Sequence, residues 1–171
     1  MDHIQTFEIR RARLEDQTAI HEAHMRSIRE VCIKDHGEEE IRGWGYRTVG
    51  ERWKKPIQQG TVWVIERYEL IYGVAYIDVQ PVVNLQPAHI HALYLVPEAL
   101  KQGLGSMMLG MMCEEAREHG AKSITLDSSL TAYRFYKHHG FQEYGPLKWT
   151  EIGGYPVRSY PMHLLLEASD G

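Results

Sequence analysis

Hydrophobic and polar positions along the chain change period several times, and each change marks an element. Residues 6–13 (TFEIRRAR) alternate and predict an edge-type strand. Leu14-Glu15-Asp16 then opens a helix running to about Lys34, with Ile20, Ala23, His24, Ser27, Ile28 and Val31 on one side. Residues 37–46 (GEEEIRGWGY) predict a short helix whose glutamates suit a first turn, and 50–59 predict another helical turn or two. Residues 61–66 (TVWVIE) and 71–79 (IYGVAYIDV) read as a hairpin joined by 67–70, and a loop is expected over 81–87. A third strand covers 89–95 and is stopped by Pro97. Residues 103–119 predict a helix ended by Gly120, 123–128 (SITLDS) a buried strand, and 131–139 a helix ended by Gly140. Another strand follows Phe141. The last, 156–166, contains Pro161, which suits an edge or a bulge.

This order predicts a mixed sheet with helices on both faces. The strand–helix–strand unit over 89–128 should be parallel and right-handed. The chain has 171 residues, 43% hydrophobic and 25% charged, which fits one soluble globular domain over 1–171. A net charge of −4 gives no reason to expect a nucleic acid partner. No apolar run approaches ~20 residues, so no membrane span is expected. The start, Met-Asp-His-Ile-Gln, lacks the basic and apolar regions of a signal peptide. Cys32 and Cys113 are far apart and read as reduced thiols, which points to the cytoplasm.

The chemistry concentrates between His89 and Phe141. An apolar strand runs through Pro97 to Gly103 and Gly105 at the mouth of a Met-rich helix. A strand that passes through a glycine turn into a helix start builds a cradle of free N–H groups for an anion, here the phosphate of a cofactor. Gly103 and Gly105 let backbone approach closely, and the Ser106 hydroxyl lies in the first turn. Leu104, Met107, Met108, Met111 and Met112 recur at helical spacing and read as a core stripe.

These residues resemble the GNAT superfamily of acyl-CoA-dependent N-acetyltransferases. Leu93-Tyr94-Leu95-Val96-Pro97 is similar to the family's cofactor strand. Gly103-Leu104-Gly105 resembles the end of its pyrophosphate loop, and Ala132-x-x-Phe135-Tyr136-x-x-x-Gly140-Phe141 its second signature. Leu100 stands where the family has Arg or Gln, and Ser129 where it often has Asn. Lys101 or Gln102 is placed to compensate for the first change, and a serine hydroxyl still hydrogen-bonds in the second.

The resemblance implies an α/β (α+β) fold: a mixed, mostly antiparallel sheet of about seven strands with a central, splayed parallel pair and helices on both faces. It implies an N-acetyltransferase that moves an acetyl group from acetyl-CoA to a primary amine. Leu93 and Leu95 then lie on the binding edge. Lys101, Gln102, Gly103, Leu104, Gly105, Ser106 and Ser129 hold the coenzyme, and Tyr136 sits near its sulfur as an acid for the thiolate. The base is open: His89 and His91 share a strand face, and Asp78 is a weaker candidate. Each histidine could equally pack or bond at the surface, and Tyr136 could be a core tyrosine. No metal is expected, because no third ligand follows from the spacing of His89 and His91.

Trp44, Tyr46 and Trp53 fall in the segment that by resemblance lines the acceptor site; they could equally anchor that segment or belong to a subunit interface. Glu38-Glu39-Glu40 is either a solvated helix start or an acidic rim for a cationic amine. Lys137 and His138 fall near the adenosine end. The resemblance allows a homodimer. The rival reading is a catalytically silent acyl-CoA-binding sensor.

Overall fold

The computed structural model describes residues 6–80 and 85–167. Most of the loop expected over 81–87 lies outside the described residues. Eight strands form the sheet: β1 (Glu8–Arg11), β2 (Val62–Arg67), β3 (Leu70–Asp78), β4 (Ala88–Leu95), β5 (Ser123–Ser128), β6 (Gln142–Glu143), β7 (Lys148–Ile152) and β8 (Tyr155–Leu165). The spatial order is β1-β2-β3-β4-β5-β8-β6, and β7 pairs with β8. Only β4 and β5 run parallel among these neighbours. The helices are α1 (Gln17–Glu30), α2 (Glu38–Trp44), α3 (Lys54–Gln58), α4 (Leu104–Glu118) and α5 (Tyr133–His138).

The two faces of the sheet carry separate cores. One holds Leu104, Met108 and Met112 of α4 with Ile90, Ile124 and Leu126 of the parallel pair. The other holds Ile20 of α1, Trp53 at the start of α3 and Ile57 within it against Val62, Val64 and Val74. The methionine stripe is narrower than its spacing suggested. Met108 and Met112 are fully buried, but Met107 is 58% exposed, because five apolar positions overfill one face of a surface helix.

Two irregularities shape the centre. The β4 strand carries a bulge: Tyr76 pairs with Ala92 but Ile77 pairs with Ile90, so His91 is the extra residue. The bulge reverses the side-chain parity. Ile90 shares a cluster with Leu93 and Leu95, while Ala92 and Tyr94 face the opposite core. Second, β4 and β5 pair only from Ala88↔Ile124 to Ile90↔Leu126. Beyond that point they separate, and the backbone edge of β4 from His91 onward lacks a strand on that side.

The C-terminal region departs from expectation. The strand after Phe141 is two strands, β6 and β7. The β7 strand folds onto β8 through Gly153 and Gly154, whose φ values of 61° and 86° suit a two-residue hairpin. Gly153 also packs against Gly43 of α2, where a Cβ would lie 2.0 Å from the Gly43 carbonyl oxygen. Pro161 is not on an edge. It pairs with Asp127 of β5 and sits where the other side of β8 changes partner, between Ser159 (β7) and Met162 (β6). The change of partner tolerates a residue without an N–H there.

Candidate active site

The α4 helix begins where β4 has been stopped by Pro97 and a 3₁₀ turn over Pro97–Ala99. Two residues of the connecting loop are left-handed, Lys101 at φ 61° and Gly103 at φ 79°. Glycine tolerates this conformation, and lysine holds it at a cost. The first helical bond runs from Met107 N–H to Gly103 O, at 3.0 Å. The N–H groups of Leu104, Gly105 and Ser106 precede that bond and point out of the helix start. The result is a concave row of amides at the positive end of a 15-residue helix.

This row opens into a cavity of about 310 Å³. Its walls include Leu93, Leu95, Leu100, Phe135 and Tyr136, with Ser27 and Val31 of α1 and its neighbour closing one side. Lys101, Gly103, Leu104, Gly105, Ser106 and Ser129 also face it. Gln102 does not, since its side-chain amide donates to the Glu98 carbonyl at 2.9 Å. Of the two side chains placed to stand in for the missing cation at Leu100, Lys101 alone reaches the cavity. The Ser106 hydroxyl lies 3.0 Å from His139 Nε2, a neighbour that sequence reading missed because it comes from the end of α5. Lys137 is engaged by Glu143 at 3.1 Å.

Tyr136 is buried, and burial pushes its phenol well above the usual tyrosine value. It faces the cavity and also a narrow gap of about 20 Å³ between the diverging strands, bounded by His91, Tyr94, Asp127 and Ser129. Ser129 caps the next turn: its hydroxyl accepts from Ala132 N–H at 3.0 Å. Cys32 also lines the first cavity, and burial pushes its thiol up to about 12, so it stays protonated.

Beyond the gap lies a second cavity of about 530 Å³. Trp44, Trp53, Tyr76 and Tyr94 supply aromatic walls. Tyr46 does not belong to it: it is 64% exposed, with the Arg29 guanidinium over its ring. His91 lines this cavity and the gap, stacked on Tyr76 at 4.6 Å and 3.9 Å from the Asp78 carboxylate. Burial lowers its pKa, although Asp78 and Asp127 oppose that shift. His89 lies beside it, ring to ring at 4.6 Å. However, His89 Nδ1 is bonded to the Thr125 hydroxyl at 2.7 Å, and the ring lines neither cavity.

The acidic rim is absent at Glu40. Glu40 is buried and accepts from Arg158 Nη2 at 2.7 Å, Arg158 N–H at 2.9 Å and Gly37 N–H at 3.0 Å. His36 completes the cluster. Its Nε2 accepts from Leu130 N–H at 3.0 Å, so Nδ1 carries the proton and donates to Glu40 at 2.8 Å. Burial alone would raise the Glu40 carboxyl, but these donors hold it down at about 2. The cluster ties α2, β8 and the turn before α5 together across both cavities. Among the described residues, no group of three or more His, Cys, Asp or Glu could hold a metal. None of the described helices is long and apolar enough to cross a membrane.

A family profile, described as an acetyltransferase (GNAT) domain, matches residues 32–153. The chain belongs to this family and is an acyltransferase. It is 26% identical over 120 residues to the uncharacterized N-acetyltransferase YafP of Escherichia coli K12, which covers 69% of each chain. Among solved structures, the GCN5-related N-acetyltransferase of Rhodopseudomonas palustris aligns at TM-score 0.77 and 18% identity, covering 97% of this chain and 100% of that one. PaiA of Thermoplasma acidophilum, solved in complex with coenzyme A, aligns at TM-score 0.71 and 17% identity over 94% and 99%. The yncA protein of Salmonella typhimurium, solved with acetyl-CoA, aligns at TM-score 0.64 and 19% identity over 97% and 97%.

Proposed function

We propose that this protein is an N-acetyltransferase that uses acetyl-CoA and delivers the acetyl group to an amine by direct attack on the thioester. One observation carries this reading: two cavities approach from opposite sides of the splayed strands and meet at a gap bounded by Tyr136, His91 and Ser129. Acetyl-CoA supplies an activated acyl group and a thiolate leaving group. Residues of the chain do the rest. Amides 103–106 and the Ser106 hydroxyl take the pyrophosphate, with Lys101 at the mouth. The free edge of β4 beside Leu93 and Leu95 offers N–H and C=O groups to the amides of the pantetheine arm. Ser129 borders the junction.

The acceptor enters the second cavity. The ammonium must lose a proton before it attacks, and His91 is the base placed at the opening. Its lowered pKa keeps the ring unprotonated at neutral pH. His89 is committed to Thr125 and supports His91 from behind. Tyr136, protonated at all working pH values, donates to the sulfur as the C–S bond breaks, and the second proton shed by the newly acylated nitrogen restores its phenol. The protonated Cys32 is a poor nucleophile, which favours direct transfer over an acyl-cysteine route.

A thiol-release assay with acetyl-CoA and a panel of amines tests the reading. Release that depends on the amine, matched by acetylated product, is expected. Tight acetyl-CoA binding with no amine-dependent release would instead identify a silent sensor.

A further inference from the structure

The second cavity carries charge in a pattern that the transfer chemistry does not require. Arg47, Arg52 and Lys55 line it, and no carboxylate lies within ion-pair distance of any of them among the described residues. Its other arginine, Arg158, is committed to Glu40. Arg47 is held in place by its own surroundings. Its Nε donates to Trp44 O at the end of α2, at 3.0 Å, and its carbonyl bonds His21 Nε2 at 2.9 Å. The rest of its fork is left over for a ligand. Desolvation and the nearby Arg52 charge lower Arg47 to about 10, so the two cations are close, and neither is neutralised by a carboxylate among the described residues.

Two more polar groups sit in the wall of this cavity with their nitrogens closed to solvent. His24 is 5% exposed, lines the cavity, and neither ring nitrogen has a hydrogen-bond partner. Trp53 is 3% exposed, lines the cavity, and its Nε1–H is also unpartnered. A buried donor left unmade is costly. Burial keeps His24 neutral, so it offers one N–H. The arginine forks and the Lys55 ammonium are donors only, and the group that accepts from them is an oxyanion.

The one acid in this cavity sits elsewhere. Asp127 borders both the cavity and the gap beside His91 and Ser129, whereas Arg47, Arg52 and Lys55 do not reach the gap. Asp127 is paired with Lys148 at 2.8 Å, so the unpaired charge of this cavity is positive and lies away from the reacting end. None of Arg47, Arg52 and Lys55 lines the first cavity, so these cations are not part of the coenzyme's phosphate site.

We propose that the acceptor is a small amine that also carries a carboxylate, bound with the carboxylate on Arg47 and Arg52 and the amine at the His91–Asp127 end. The aromatic walls fit an apolar body between the two, as in a free aromatic or aliphatic amino acid. This rests on the acetyl-transfer reading for its amine half, while the anion site stands on its own.

The test pairs amino acids with their carboxamides, phenylalanine with phenylalaninamide first. Binding is read by calorimetry on the CoA-saturated protein, and turnover by thiol release. The acid should bind and react better than the amide by roughly 10- to 100-fold, the scale of a charge-assisted pair. Arg52→Gln touches no hydrogen bond of the fold and should erase most of that preference with acetyl-CoA affinity unchanged. Arg47→Gln should do the same. Amides that match or exceed their acids in the wild type, or acids that fail to bind at all, would overturn the proposal while leaving transfer to other amines standing. Arg52-dependent binding of the acid without thiol release would support the anion site and sink acetyl transfer.

Discussion

The two cavities differ in what they are made of. The first, about 310 Å³, presents mainly backbone: the N–H row before Met107, the free edge of β4, and apolar side walls. The second, about 530 Å³, is lined by long and aromatic side chains from α1, the 44–56 segment, β3, β4 and the β7–β8 hairpin. Backbone recognition needs only glycines and a helix start in one short stretch. Side-chain recognition needs residues that the fold gathers from all over the chain. The first cavity therefore suits a ligand shared across a family, and the second is where one member can differ from another.

The largest expected effect breaks the first cavity. In Gly105→Asp the new Cβ meets only the Phe135 ring at 3.6 Å, an ordinary contact, so the fold should survive. The carboxylate would face the site of the pyrophosphate. Acetyl-CoA affinity should fall beyond detection by calorimetry, and a normal dissociation constant would mean that the amides hold something else. Tyr136→Phe addresses the junction. Turnover should drop by roughly 10²-fold with acetyl-CoA affinity kept.

His91→Ala should cost roughly 10-fold or more and remove the acid limb of the pH–rate profile. In the wild type that limb belongs to a histidine whose pKa lies below 6.5, so activity should be full at neutral pH and fall only in acid. A profile that His91→Ala leaves unchanged would assign the proton to Asp78, His89 or water.

Glu40→Gln tests the frame shared by both cavities. Glu40 is buried but Arg158 is 30% exposed and can turn to water, so the loss should be roughly 1–2 kcal/mol of stability. The Glu40 carboxyl is depressed from 4.5 to about 2 on folding, so its stabilisation is complete above pH 4.5 and is lost as pH falls toward 2. The variant should show a flatter decline of melting temperature across that window.

The contrast between the cavities also explains what was legible in the sequence. Gly103, Gly105, Tyr136 and the strands on either side lie in one contiguous unit of some fifty residues, and their spacing announced both the parallel pair and the helix between. The His91 bulge was not legible, because alternation alone cannot say where a strand gains a residue. Nor was the role of Glu40, which looked like a solvated first turn until Arg158 met it from 118 residues away. Arg47 and Arg52 carried no signal, since no spacing or motif sets them apart from the other arginines of the chain. One signal was there to be found: Gly153-Gly154 between two apolar-aromatic runs marks the hairpin that closes the second cavity.

The most direct measurement is a crystal structure of the protein with coenzyme A. The account predicts the pyrophosphate on amides 103–106, the pantetheine arm along the β4 edge at Leu93 and Leu95, and the sulfur within hydrogen-bond reach of the Tyr136 hydroxyl. A coenzyme lodged outside the splay of β4 and β5, or a sulfur remote from Tyr136, would contradict it.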